Sequence, residues 1–255
     1  MMELLVFIIG LCVGSFLGVL VDRLSKDKSI QGRSHCEFCK KTLHWNDLIP
    51  LLSFVLLKGR CRYCRKKLSI YYPLMEVITG IIFLTTYSLV SIFSLEAINY
   101  HVIYYLAVSS FLIVVFFSDL KYGIIPDKIL IPSTVLVLVY QAINYQLAIF
   151  NYLIVAAVTF FFFLFLFLIT KGKGMGFGDV KYAFLMGLLL GFPNIVVALY
   201  MAFLTGAFVS IILILWKGKH LLKKTIPFGP FLALSTFISM FWGNMIWQKF
   251  VALLF

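Results

Sequence analysis

The sequence predicts an all-α polytopic membrane protein of about eight transmembrane helices, with a small cytoplasmic loop domain between helices 1 and 2. Three observations carry this. Of the 255 residues, 62% are hydrophobic and the mean hydropathy is +1.04, too apolar for a soluble domain of this size. The apolar residues fall into eight segments, roughly 4–21, 74–93, 98–118, 129–148, 152–170, 181–192, 194–216 and 230–254; about 20 residues span a bilayer. Lys and Arg are banded: 12 of the 22 lie between Arg23 and Lys67, and nine more form the clusters Lys121/Lys128, Lys171/Lys173/Lys181 and Lys217/Lys219/Lys223/Lys224.

The first segment, within MMELLVFIIGLCVGSFLGVLV, has Glu3 in place of a basic flank and no A-x-A-like site after it, so it reads as a membrane helix and not as a cleaved signal peptide. Its basic flank follows it, which puts the N-terminus outside and Asp22 onward in the cytoplasm. Counted alternately from there, every basic cluster falls on the cytoplasmic side, and the outer turns near Ser94–Asn99, Tyr145–Asn151 and Gly191–Asn194 carry no Lys or Arg. The sixth segment is short and reads as a partly buried helix shielded by its neighbours; without it the Lys217–Lys224 cluster would fall outside. The net charge of +12 is therefore topological, which sets aside a nucleic-acid partner. The phenylalanines of the fifth segment (Phe160 to Phe163, Phe165, Phe167) read as lipid-facing bulk, and no internal repeat stands out. The chain divides into residues 1–21, a cytoplasmic cysteine domain at 22–73, and seven helices at 74–255.

The soluble piece holds Cys36-x-x-Cys39 and Cys61-x-x-Cys64, four of the five cysteines. Two such knuckles present four thiolates in the tetrahedral geometry of structural zinc. A reducing cytoplasm disfavours disulfides, and so short a piece needs a metal to supplement its core. His35 abuts Cys36 but four cysteines suffice; His44 and His101 read as packing residues, and Cys12 as an apolar filler in helix 1.

Ten residues are acidic, and three of them, Asp119, Asp127 and Asp179, lie beside membrane segments on the cytoplasmic side. Two carboxylates held together share a proton, so one works as base and the other as acid. Such a pair can activate water against a peptide carbonyl and protonate the leaving nitrogen. The glycines of GMGFGD permit φ > 0 and close approach of a substrate strand. On the residues alone three readings stay open: a catalytic dyad, proton sites of a small ion-coupled transporter, or plain structure. In the last, Asp179 is an N-cap, Asp127 a cap or turn residue after Pro126, and Asp119 a partner of Lys121 or Lys181.

The ordered motifs go further. GSF at Gly14–Phe16, the first C-x-x-C, DLIPLLSF, GRCRYC, YYPLMEVITG, DLKYGIIPD and GFGDVK together resemble the bacterial prepilin peptidases, the type IV leader peptidases of the GxGD aspartic protease class. The match covers nearly the whole chain. The resemblance implies a peptidase that removes the basic leader of type IV prepilins or pseudopilins, in pilus, type II secretion or DNA-uptake (competence) systems, at the cytoplasmic face of the plasma membrane. It implies that Asp119 and Asp179 form the dyad, with Gly176, Gly178, Pro126, Asp127 and Lys181 as motif residues. Many members also N-methylate the new amino terminus with S-adenosylmethionine, and these carry the cysteine domain. Gly18 stands where members often have Asn, and Glu37 where they often have Pro. Glu76, in YYPLMEVITG, reads either as a polar contact near the active face or as a partner for nearby Arg or Lys. The rivals are another GxGD intramembrane protease, which the four-cysteine loop argues against, the ion-coupled transporter, and a membrane anchor whose zinc loop binds partner proteins.

Overall fold

A computed structural model describes residues 1–93, 100–146, 149–217 and 227–254. Each of the eight apolar segments is helical there: α1 (Met2–Leu24), α3 (Tyr71–Phe93), α4 (Tyr100–Tyr122), α5 (Asp127–Asn144), α6 (Ile149–Ile169), α7 (Phe177–Leu190), α8 (Asn194–Lys217) and α9 (Gly229–Leu254). A short α2 (Leu52–Leu56) and a 3-10 turn at Trp45–Asp47 lie in the loop between α1 and α3. The outer turn at Ser94–Asn99, residues 147 and 148, and Lys219, Lys223 and Lys224 lie outside the described residues.

Among the described residues, five helices are long and apolar enough to cross a membrane: Met2–Leu24, Tyr71–Ser91, Tyr100–Tyr122, Ile149–Ile169 and Asn194–Trp216. α7 falls short by length, since its 14 residues rise about 21 Å against a hydrocarbon core of about 30 Å. α5 and α9 are diluted by polar side chains, among them Asp127, Lys128 and Gln141 in α5, and Ser235, Thr236 and Asn244 in α9.

The chain forms two compact units, Met1–Val114 and Val115–Phe255. In the first, α1 lies against α3. Gly10 and Gly14 share one face of α1, and a Cβ on either would sit 2.8 Å from a Cα of α3, at Gly80 and Glu76 respectively. Small residues spaced by four let two membrane helices approach this closely. Cys12 is exposed on α1.

In the second unit α7 is the hub, with ten of its residues buried, as expected for a short helix shielded by its neighbours. The Gln141 amide of α5 donates to Leu188 O at 3.2 Å near the end of α7, and Tyr182 donates from α7 to Thr236 of α9 at 3.1 Å. α6 turns Phe150, Ile154, Val158, Phe161, Phe165 and Leu168 outward, each at least 60% exposed. That is a lipid-facing stripe at helical spacing. Phe163 is the exception to the lipid-facing reading, since it is fully buried and its ring meets Phe203.

Candidate active site and metal centre

Asp119 lies within the last turns of α4, which continues past the predicted end to Tyr122. Gly123 then takes φ +67, its amide closing on Asp119 O at 2.8 Å, and the chain turns through Ile124–Pro126 into α5. Pro126 is the N-cap of α5 and Asp127 its first residue. Asp127 is thus not the cap itself, but its charge still suits the positive end of the helix. At α7 Gly176 is the N-cap and Asp179 the third helical residue, where its Oδ2 accepts the Gly176 amide at 3.0 Å. Asp179 thus stabilises the helix start from inside and is not the N-cap.

The expectation of left-handed glycines fails in GMGFGD. Gly176 has φ −80 and ψ 156, and of the nearby glycines only Gly172, upstream, has positive φ. Gly178 is closely packed: a Cβ there would stand 3.1 Å from that of Ile125. A Cβ at Gly176 would meet only ordinary contacts, Asp179 Oδ2 at 3.8 Å and Gly178 N at 3.9 Å.

Asp119 and Asp179 are each 6% exposed and line one cavity of about 510 Å³, together with Ile124, Ile125, Gly176 and Phe228. Lys181 is not the partner of Asp119: its Nζ lies 2.8 and 2.7 Å from the two oxygens of Asp127, an ion pair at the cavity rim joining α5 to α7. That pair is well exposed, so its own contribution is about 1 kcal/mol or less. Asp119 takes a backbone donor instead, the Gly229 amide at the start of α9, 2.8 Å from its Oδ2. A Cβ on Gly229 would stand 2.6 Å from that same oxygen. Gly229 is absent from the sequence-based site. Its signal is present in PFGPF at 227–231, a glycine between Phe and Pro at the mouth of the last apolar segment.

In the first unit, the Sγ atoms of Cys36, Cys39, Cys61 and Cys64 all lie within 4.8 Å of one another, with Cys36 and Cys64 at 3.9 Å. Zinc–sulfur bonds of about 2.3 Å in a tetrahedron place sulfurs roughly 3.8 Å apart, so the cluster fits that ion. The knuckles are a structural repeat not read from the sequence: HCEFCKKTL at 35–43 aligns with RCRYCRKKL at 60–68. In each, the first cysteine's amide donates to the carbonyl five residues on, Cys36 N to Lys41 O at 3.0 Å and Cys61 N to Lys66 O at 2.9 Å. Lys40 and Arg65, each just after the second cysteine, both have φ +58. His35 Nδ1 points to Arg33 O, leaving the four thiols as the donor set. The His44 amide donates to Asp47 Oδ2 at 3.2 Å, and the His101 ring lies on Tyr100 with centroids 4.0 Å apart.

Asp47 ties the second knuckle down, accepting Arg62 Nε at 2.6 Å and Tyr63 Oη at 3.1 Å. Burial works against its charge, but these donors and the His44 amide hold its carboxyl below the usual range. Glu76 is buried, and its Oε2 accepts the Leu51 amide at 2.8 Å. Its partner is a backbone amide and not a cation.

Residues 8–90 match the bacterial peptidase A24 N-terminal domain, and residues 106–211 match the type IV leader peptidase family. The chain is 30% identical to a prepilin leader peptidase/N-methyltransferase of Aeromonas hydrophila, over 95% of this chain and 91% of the relative. It is also 30% identical to one of Bacillus subtilis (strain 168), over 95% of each, and 29% identical to one of Aeromonas salmonicida, over 97% and 93%. No solved structure matches it. The cysteine knuckles fall within the first matched region and all three membrane-edge aspartates within the second; the chain belongs to the type IV leader peptidase family.

Proposed function

We propose that the protein is a membrane aspartic endopeptidase that cuts the basic leader from type IV prepilins or pseudopilins and N-methylates the new amino terminus. The observation that carries the proteolytic half is the pair of buried aspartates, Asp119 and Asp179, on one cavity. One carboxylate, ionised, takes a proton from water as the oxygen attacks the scissile carbonyl. The other, protonated, polarises that carbonyl; proton transfer to the nitrogen then releases the leaving amine. No covalent enzyme intermediate is needed. The Gly229 and Gly176 amides fix one oxygen of each aspartate. The Asp127–Lys181 pair sets the rim, Pro126 shapes the turn into α5, and Gly176 lines the cavity that takes an extended substrate backbone.

Eight crossings with the N-terminus outside put both aspartates at the cytoplasmic face of the plasma membrane, where the apolar pilin helix lies in lipid and the leader in water. Residues 1–21 are the first crossing, 22–73 the cysteine domain and 74–255 the peptidase part. The leader and the 22–73 loop are both basic, so attraction to that loop does not dock the leader.

Zinc, held by Cys36, Cys39, Cys61 and Cys64, is structural. Bound S-adenosylmethionine supplies the methyl group. Cys36→Ser is expected to lower bound zinc severalfold in the purified protein, read by elemental analysis, and to lower the melting temperature of the 22–73 domain. A folded wild-type protein without zinc would remove the metal from the account.

The function is tested by incubating the purified protein, in nanodiscs, with a prepilin whose short basic leader ends in glycine. Mass spectrometry should find the product beginning after that glycine, one methyl group heavier when S-adenosylmethionine is present. An uncut prepilin would sink the reading.

A further inference from the structure

The loop between α1 and α3 carries an apolar run of its own. Leu48 to Leu57 reads LIPLLSFVLL, ten residues with no charge and a single hydroxyl. Such a run is too short to span a bilayer and suits either a core helix or an interfacial segment. Packing against the core accounts for one side of it only. Ser53, Phe54 and Leu57 line a cavity together with residues of α1 and α3. Leu52, Val55 and Leu56 turn outward and are 53%, 68% and 72% exposed. They stand at i, i+3 and i+4 and so share one face of α2.

Hydrogen bonding and packing fix the height of that face. The Leu51 amide, just before α2, donates to Glu76 Oε2 at 2.8 Å. Glu76 is five residues into α3, about 7.5 Å from its start. On the other side, Val19 and Ser15 of α1 border the same cavity as Ser53, Phe54 and Leu57. They lie five and nine residues before Leu24, about 7.5 and 13.5 Å from the end of α1. α2 therefore sits beside α1 and α3 and not beyond their ends, and both of those helices are long and apolar enough to cross a membrane. α3 opens with Tyr71 and Tyr72, and tyrosine marks the membrane–water interface. A segment level with Glu76 is then at the headgroup–acyl boundary, where interfacial helices lie about 5–10 Å deep. Trp45, exposed on the 3-10 turn packed against α2, is the other aromatic type enriched there. Lys58 and Arg60 follow α2 and are exposed. Lipid phosphates would attract them, whereas a second copy of the chain on this face would meet them with like charge.

We infer that α2 is an interfacial anchor: Leu52, Val55 and Leu56 are covered by acyl chains of the leaflet on the loop side, the cytoplasmic one in the topology proposed above. The 22–73 piece is then held to the bilayer at a third point besides its two ends. α2 also stands between Glu76, which is buried, and the lipid, so the carboxylate is not left facing hydrocarbon. The inference concerns the placement of the segment and does not depend on prepilin cleavage or methylation.

The test uses the unaltered full-length protein in nanodiscs of phosphatidylethanolamine and phosphatidylglycerol. Two photoreactive lipids are compared, one with a diazirine near the acyl carbonyl and one with it at the chain end. After irradiation, mass spectrometry maps the labelled residues, and the outward stripe of α6 (Phe150, Ile154, Phe161 and Phe165 among them) is the lipid-facing reference. The shallow probe is expected to label α2 within about threefold of the most heavily labelled turn of α6, with adducts on Leu52, Val55 and Leu56 and not on Phe54. The chain-end probe should label α2 about fivefold less than the shallow probe does, or weaker still. An α2 without shallow label while α6 carries it would overturn the inference, whether water or a second copy of the chain covers that face. Equal labelling of α2 by both probes would overturn it too, because the segment would then lie in mid-bilayer.

Discussion

Asp119→Asn and Asp179→Asn are each expected to lower prepilin cleavage by roughly 10⁴-fold while the protein accumulates in membranes as wild type does. Asn is the informative substitution because of what each aspartate already does for the fold. Asp119 accepts the Gly229 amide and Asp179 accepts the Gly176 amide, and an Asn oxygen can accept both bonds. The helix starts at α7 and α9 are thereby kept, and what is lost is a group able to ionise or to carry the shared proton. A structural role, in capping or helix packing, would leave the Asn variants active. Immunoblots of membranes for enzyme and for processed pilin separate loss of chemistry from loss of protein. Normal processing by either variant would take that aspartate out of the reaction.

Gly229→Ala is the second substitution with a large expected effect, and it touches neither carboxylate covalently. The new Cβ would stand 2.6 Å from Asp119 Oδ2, 2.9 Å from its Cγ and 3.0 Å from its Cβ. Contacts that short cannot persist, so either the Asp119 side chain rotates away from the cavity or α9 shifts outward. Both break the 2.8 Å bond from the Gly229 amide and misplace the carboxylate by something approaching an ångström. A misplacement of that size costs about 100-fold in rate. The expected signature is a lower kcat with a nearly unchanged KM, because the start of α9 positions Asp119 and does not bind the leader. Wild-type turnover in Gly229→Ala would mean that Asp119 works in a conformation without the Gly229 bond.

Much of this architecture is legible in the sequence, for identifiable reasons. The eight helices follow from runs of apolar residues that only a bilayer explains, and the thiolate cluster follows from two C-x-x-C spacings. The sixth segment is readable as a shielded helix from its brevity, and α7 is indeed the most enclosed helix of its unit. What escapes are features set by three-dimensional proximity. Gly229 lies 110 residues from Asp119, so no local pattern announces their bond. The Asp127–Lys181 pair spans 54 residues, and the sequence offers Asp119 as an equally good partner for Lys181. Asp179 looks like an N-cap because Gly-Asp before an apolar run is good capping chemistry, but helix α7 begins two residues earlier, at Phe177. The glycines of GMGFGD show the same limit: composition says that they are free to take positive φ, and only the structure shows that Gly178 instead packs closely on Ile125. The knuckle repeat was in the letters all along, in HCEFCKKTL and RCRYCRKKL, and becomes plain once the two turns are superposable hydrogen bond for hydrogen bond.

The central claim is that Asp119 and Asp179 work as one unit on a peptide bond. The most direct measurement is single-turnover cleavage of one prepilin by wild type, Asp119→Asn, Asp179→Asn and the double variant, all in nanodiscs. Residues that act as a unit are grossly non-additive. The double variant is therefore expected to cleave no more than about threefold slower than the slower single variant. Losses that multiply, or a single variant that cleaves near the wild-type rate, would contradict it.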